Sequence, residues 1–389
     1  MAISQNYPSI TPSLNLDFAK SKFLDPRITF TRASVGTYVG ADGLIKSASS
    51  GAARFTHNPF TGESLGLLIE EGRTNIRTYS SSINASNAYR IYGTPSYNTS
   101  ETKAPDGTNT ATKITGANAA AGFDTYGNDY GFNQGVTQTY SVFVKNVNAT
   151  SVKLGFFGEY VFTFATETGS GTGGFEKYPN GWYRIWATVL KANQYWYQNL
   201  YMNDGAATTD SIYVWGAQNE NASFPTSYIP TTSASVTRAA DTVSISGTNF
   251  SSWYSQDKGT ILYSYRTIDT EPSAYSVLWE LRNGGARRLF GYHSNSSYGT
   301  FSPDGGSTIG SYSTPSTYVL NKAASAYSST TVTSTANGAN PGTGSHTLTA
   351  TQDRILFGSG SDAPQTHCVS NIVYYPAVLT SNQIQTLTK

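Results

Sequence analysis

The chain has 389 residues, more than one hydrophobic core ordinarily serves, so two or three domains are expected. Charged residues make up only 13%, about half of the roughly 25% usual in globular proteins. The formal net charge is +1 and no basic stripe interrupts the sequence, which argues against phosphate neutralisation as the main task and against nucleic acid as a partner.

Ser, Thr, Asn, 37 Gly and 28 Tyr take the place of the missing charges. Ser, Thr and Asn compete with the helical backbone for hydrogen bonds and Gly is entropically costly there, so the mixture favours short strands and turns over helices. Aromatic residues at 13% supply the apolar surface that a disordered chain lacks. The single cysteine, Cys368, rules out an internal disulfide framework and reads as a small buried hydrophobe. The N-terminus lacks the basic and apolar regions of a secretory signal, and no apolar run is long enough to span a bilayer. The expectation is a protein made in a bacterial cytoplasm, released by lysis, and not inserted in a membrane.

In chain order, residues 1–72 form a first β segment. Asp42-Gly43 between Thr37-Tyr38-Val39 and Leu44-Ile45 is a hairpin signal. Leu65-Gly66-Leu67-Leu68-Ile69 is apolar throughout and reads as a strand buried on both faces. Residues 73–233 form a second unit, with strands expected at 140–145, 151–157, 182–189, 195–202 and 212–218. Breaks fall at Pro105-Asp106-Gly107, at 169–174, at Pro179-Asn180-Gly181 and at Asn203-Asp204-Gly205. Beyond a Thr231-Thr232-Ser233 linker, residues 234–389 form a third unit, with strands at 242–246, 259–265, 277–281, 288–292, 317–320, 354–357 and 369–375. Thr380 followed by Gln383 predicts a capping box and one short terminal helix. The fold class is therefore all-β: tandem antiparallel β-sandwich or jelly-roll domains with a short C-terminal helix. One internal echo stands out, Thr31-Arg32-Ala33 against Thr237-Arg238-Ala239.

Residues 24–34 and 55–75, the latter running from Phe55-Thr56-His57-Asn58-Pro59 through Glu70-Glu71-Gly72-Arg73-Thr74-Asn75, resemble a signature of phage head-fibre and spike-type virion proteins. The middle unit resembles the carbohydrate-binding jelly rolls that follow that signature, through residues 104–108, Gly181-Trp182-Tyr183-Arg184-Ile185, 214–220 and 224–231. The third unit is similar to concanavalin A/laminin G-type sandwiches in its last strand and closing helix. The resemblance implies a bacteriophage virion structural protein, a fibre, spike or capsid decoration displayed on the particle surface. Residues 1–72 would dock on capsid or tail proteins, and host-surface polysaccharide would be an outer partner. A homo-oligomer, with a trimer favoured, would bury the apolar face of the docking segment.

Two other functions stay open at this stage: a stand-alone carbohydrate-binding protein and a polysaccharide depolymerase. No catalytic constellation is expected, because His57, His293, His346 and His367 fall in no metal-ligand spacing. Neighbours on a strand point to opposite faces, so His367 and Cys368 cannot share a site. Glu159, Glu167, Glu176 and Asp204 qualify as glycosidase carboxylates by residue type alone. Sugar binding would use aromatic faces with nearby amides and carboxylates. The candidates are Tyr126, Asn128, Asp129, Tyr130, Trp182, Tyr195, Trp196 and Tyr197. Alternation puts Trp182 and Arg184 on one face and Tyr183 and Ile185 on the other, with Trp186 and Trp215 expected in a core. No cofactor is expected; the loop with Asp124, Asn128 and Asp129 has the oxygen ligands that a structural Ca2+ takes.

Overall fold

Leu14–Asp17, Phe55–His57 and Ser64–Ile69 each take a place in a sheet otherwise built from residues beyond 257. The computed structural model describes residues 6–83, 90–91, 96–99, 101–116, 123–124, 135–155, 160–190, 200–202, 209–267, 276–294, 298–302, 309–311, 319–348, 351–358 and 366–389. The protein is all-β, with antiparallel sheets and the expected terminal helix at Ser381–Leu387. Thr380 caps that helix, accepting from the Gln383 N–H while the Gln383 side chain accepts from the Thr380 N–H.

The largest body is a sandwich. One sheet has eight strands and runs Gly342–Ser345, Thr331–Ala336, Asn321–Ser328, Lys258–Thr267, His367–Tyr375, Ser64–Ile69, Phe55–His57, with Leu14–Asp17 also pairing His367–Tyr375. The other has seven and runs Thr29–Thr31, Thr242–Ser246, Arg354–Phe357, Ser276–Asn283, Ala286–His293, Tyr298–Phe301, Ile309–Ser311. Tyr263 and Ile261 from the first and Trp279 and Leu281 from the second meet in the core between them. The terminal helix lies on the outer face of the eight-stranded sheet, where Ile384 and Leu379 cover Ala324 and Ala326. Ser64–Ile69 is buried from Gly66 onward, as its apolar run requires. Gly66 sits at φ +101° against the neighbouring strand, and a Cβ there would lie 2.0 Å from the Val369 carbonyl oxygen. Only glycine fits that approach.

The first 72 residues thus share their sheets with the third stretch. Four of their strands, Leu14–Asp17, Thr29–Thr31, Phe55–His57 and Ser64–Ile69, complete the sandwich of the third stretch, because a buried apolar strand must find paired neighbours on both sides.

The second body is the jelly roll. A six-stranded sheet, Gly173–Lys177, Trp182–Leu190, Thr137–Asn146, Ser211–Glu220, Thr112–Thr115, Ser96–Thr99, packs on a four-stranded one, Thr168–Gly171, Tyr160–Thr163, Ser151–Leu154, Leu200–Met202. Val142, Ile185 and Val214 meet Val152, Phe162 and Met202 between them. The 169–174 stretch, expected as a break, instead spans parts of two strands. Its glycines let rings lie on the backbone: a Cβ on Gly169 would meet the Tyr160 hydroxyl at 1.8 Å, and one on Gly174 the Trp186 ring at 2.4 Å. The chain enters and leaves the jelly roll through one antiparallel ribbon, Arg73–Asn75 with Val236–Arg238. The jelly roll is therefore inserted into the sandwich by a two-stranded stem, and Thr231 is buried at its exit rather than part of a free linker.

Candidate functional site

The outer face of the six-stranded sheet carries Trp182, Arg184 and Trp186 on one strand, with Ser141 and Phe143 on the next. Alternation dictates this, since Tyr183 and Ile185 go to the jelly-roll core. The hairpin Gly36–Val39/Ile45–Ala48, turned at Gly43 with φ +74°, covers part of the face. Ile45 and Val39 pack there with Phe143, Trp182, Trp215 and Tyr228.

Where the hairpin ends, a cleft of about 140 Å3 remains between the jelly roll and the outer face of the eight-stranded sheet. An apolar cavity of about 150 Å3 holds a benzene-sized ring, so there is room for one ring. The jelly roll contributes Glu176, Tyr178, Arg184 and Trp186; the sandwich side contributes His57, Glu63, Arg266 and Cys368.

Two buried side chains there keep an unpartnered polar atom. His57 is 5% exposed. Its Nδ1 lies 3.1 Å from the Val39 carbonyl oxygen, which can only accept, so Nδ1 carries the proton and Nε2 presents a lone pair. That Nε2 has no partner. Arg184 is 6% exposed; one terminal nitrogen donates to Ser141 Oγ at 3.1 Å, the guanidinium lies over the Phe143 ring, and its Nε–H has no acceptor. Buried polar groups without partners cost about 1–3 kcal/mol each, and each calls for an explanation such as a bound water, ion or ligand.

The cleft's carboxylates differ. Glu63 is tied to Arg266 at 2.5 Å. Glu176 stands opposite Arg184 in register. Burial pushes its carboxyl above the usual range, against the opposing pull of Arg184 and a hydrogen bond from Tyr178. Glu70 belongs to a buried ionic cluster behind the cleft. Arg54 donates to Glu70 at 2.6 Å and to Asp241 at 2.5 Å, Arg32 reaches Asp241 at 3.1 Å, and Arg238 lies 3.5 Å from Glu70. Burial alone would raise the Glu70 carboxyl, but Arg238, Arg54 and two hydrogen bonds from Ser227 pull it down to about 2. The cluster joins the first segment, the jelly-roll exit and the third stretch at one point. The two arginines of the Thr-Arg-Ala echo, Arg32 and Arg238, both serve it.

Of the sugar-binding candidates, Trp182 is described with its side chain, and it is not on the surface. It is 1% exposed, its indole N–H donates to the Lys103 carbonyl at 2.9 Å, and its ring lies in the core under the hairpin. The strand face assigned to it was right; what covers that face is the first segment, which sequence order did not reveal. Tyr126, Asn128, Asp129, Tyr130, Tyr195, Trp196 and Tyr197 lie outside the described residues, as do Glu159, Asp204 and the side chain of Asp124, and with them the Ca2+ loop. Glu167 is exposed and bound to Lys177 and to the Tyr183 hydroxyl. Trp186 and Trp215 are buried, as expected. His367 and Cys368 face opposite ways, His367 toward Tyr263 in the sandwich core and Cys368 toward the cleft. Among the described residues no group of three or more His, Cys, Asp or Glu side chains could hold a metal ion.

No family model and no curated protein matches the chain. Among solved structures, part of it is similar to the Trypanosoma rangeli sialidase in complex with the inhibitor DANA, at 17% identity and TM-score 0.31, over 38% of this chain and 26% of that one. Another similarity is to the CBM40 of the Ruminococcus gnavus IT-sialidase, at 18% identity and TM-score 0.27, over 34% and 83%. A third is to the SAP-like pentraxin of Limulus polyphemus, at 8% identity and TM-score 0.28, over 34% and 70%. The chain spans about a quarter of the length of the sialidases it matches.

Proposed function

We propose that the protein is a glycan-binding, non-enzymatic component of a phage particle surface, and that the seam between jelly roll and sandwich holds the sugar. The observation that carries the binding half is the ring-sized cleft with one buried acceptor, His57 Nε2, and one buried donor, Arg184 Nε–H, both unfilled. A sugar hydroxyl is donor and acceptor at once and meets both needs. Trp186 supplies apolar surface for the C–H face of the ring. Binding is favoured over hydrolysis because a glycosidase needs two available carboxylates, whereas Glu63 and Glu70 are each engaged by arginine. The particle half rests on the resemblance of residues 24–34 and 55–75 to virion proteins. Docking then uses a surface other than the strands Leu14–Asp17, Thr29–Thr31, Phe55–His57 and Ser64–Ile69, which are consumed in the sandwich.

A glycan array tests the first half: the wild type binds at least one saccharide and Trp186→Ala loses it, while an empty array for the folded wild type removes the reading. Cryo-electron microscopy of the particle tests the second, with density fitting this chain as the expected result, repeated around a threefold axis if it trimerises. Hydrolysis has one observation in its favour, the raised Glu176 carboxyl in the cleft. Reducing-end release from capsular polysaccharide, abolished by Glu176→Gln, would establish a depolymerase instead.

A further inference from the structure

If the seam cleft is a glycan site, its walls decide which unit of a saccharide enters it. Arg184 and Trp186 of the jelly roll line it opposite Leu68 and Cys368 of the eight-stranded sheet, and all of these are buried. At the back the two bodies are stitched together. The Ser227 N–H and hydroxyl donate to the Glu70 carboxylate at 2.8 and 2.6 Å, and the Thr37 hydroxyl donates to the Tyr228 carbonyl. A ring does not pass between groups in direct hydrogen-bond contact. On the hairpin flank the His57 imidazole, fixed to the Val39 carbonyl, lines both the cleft and a wider surface groove with Tyr38 and Phe23, and so stands between them.

The remaining side is the mouth. Glu63 lines the cleft and has 59% of its side chain exposed, in contact with Arg266. Its carbonyl accepts from the Asn58 N–H at 2.8 Å, so these three lining residues share one rim. A cleft of about 140 Å3 takes one ring, and a single mouth gives that ring one way out. An internal unit of a glycan carries neighbours at two ring positions, whereas a terminal unit carries one. Seating an internal unit here drives its second neighbour into close-packed wall, where even a few extra methylenes are destabilising. We infer that the cleft reads glycan ends: it takes the non-reducing terminal unit, the free end of a surface-anchored glycan. That ring lies against Trp186 with its hydroxyls on His57 Nε2 and the Arg184 Nε–H, and the rest of the saccharide leaves past Glu63 and Arg266.

The test is titration calorimetry of the full chain with methyl glycosides of glucose, galactose, mannose, rhamnose, N-acetylglucosamine, glucuronic acid and N-acetylneuraminic acid, and with linear oligosaccharides ending in each. At least one monosaccharide binds. Oligosaccharides ending in it bind within roughly threefold of it, because their further units lie outside the cleft. Capping its ring with one more sugar weakens binding by at least roughly thirtyfold. His57→Phe, which keeps a planar ring and removes the acceptor, weakens the monosaccharide about tenfold, the worth of one buried hydrogen bond. The ligand comparisons use the wild type and stand whether or not a variant folds. Affinity that climbs more than about tenfold between one unit and four overturns the inference and leaves glycan binding intact. So does a capped oligosaccharide, or a cyclic one such as β-cyclodextrin, that binds as well as its linear counterpart. A monosaccharide that binds folded His57→Phe and Trp186→Ala as tightly as the wild type also overturns it, since the sugar then sits elsewhere. Silence from every saccharide removes the glycan reading itself.

Discussion

Replacing Arg54 by Met keeps much of the side chain's length and deletes the charge at the centre of the junction. Arg54 is 0% exposed and donates to Glu70, Asp241, the Thr37 carbonyl and Ser227 Oγ. Without it, two buried carboxylates share Arg32 and Arg238 alone. Removing one partner of a buried ionic group costs about 3–5 kcal/mol, because the other charges stay desolvated. The Glu70 carboxyl gives an independent scale: its fall from 4.5 to about 2 corresponds to roughly 3 kcal/mol of stability. A carboxyl depressed in the folded state stabilises above its unfolded value, and that contribution drains away as pH falls from 4.5 toward 2. Arg54→Met should therefore lower the unfolding free energy by about 3–5 kcal/mol at pH 7, read from urea denaturation by tryptophan fluorescence. At pH 3 the gap between wild type and variant should narrow, by at most about 2 kcal/mol, since the wild type has by then lost part of what Glu70 supplied while Arg238 and Ser227 keep part of the depression in the variant. A loss under about 1 kcal/mol, or an equal gap at both pH values, would refute the claim that this cluster holds the two bodies together.

Three further expectations follow from single positions. His293 and His367 are buried in the sandwich, where burial lowers them to about 4 and, with the neighbouring His293 charge, about 3. The unfolded chain binds their protons first, so stability falls by about 1.4 kcal/mol per histidine for each pH unit below 6.5; denaturation between pH 6.5 and 5 should show a slope that His293→Gln with His367→Gln flattens. Gly66→Ala puts a Cβ against the Val369 carbonyl at positive φ, and should cost about 3 kcal/mol or prevent folding; a melting temperature equal to the wild type would mean the strand can shift. Thr380→Ala removes the capping box and should cost about 1 kcal/mol, visible as a small drop in thermal midpoint.

What the sequence revealed was local. Asp42-Gly43 carried its hairpin, the 65–69 run its buried strand and Thr380 with Gln383 its helix start, because each is decided by neighbours in the chain. Asn321–Ser328 was missed: its alanines and serines lack β-branched bulk, and it is a strand because Lys258–Thr267 and Thr331–Ala336 pair with it on either side. The 169–174 glycines read as a break because the Tyr160 and Trp186 rings they admit come from elsewhere in the sequence. The cleft was illegible for the same reason. His57 and Glu63 meet Glu176, Arg184 and Arg266 only after the first segment has folded onto the third, and no spacing encodes that. Two signals could have pointed to the junction: the arginine repeated in the Thr-Arg-Ala echo, and the Glu70-Glu71-Gly72-Arg73 run ending a buried strand.

The most direct test of the glycan site is a crystal structure of the protein with the saccharide that binds best on an array. Density for one sugar ring beside Trp186, within hydrogen-bond distance of His57 Nε2 and Arg184 Nε, is the result expected here. A sugar bound instead at Tyr195, Trp196 and Tyr197, with the seam unchanged, would contradict it.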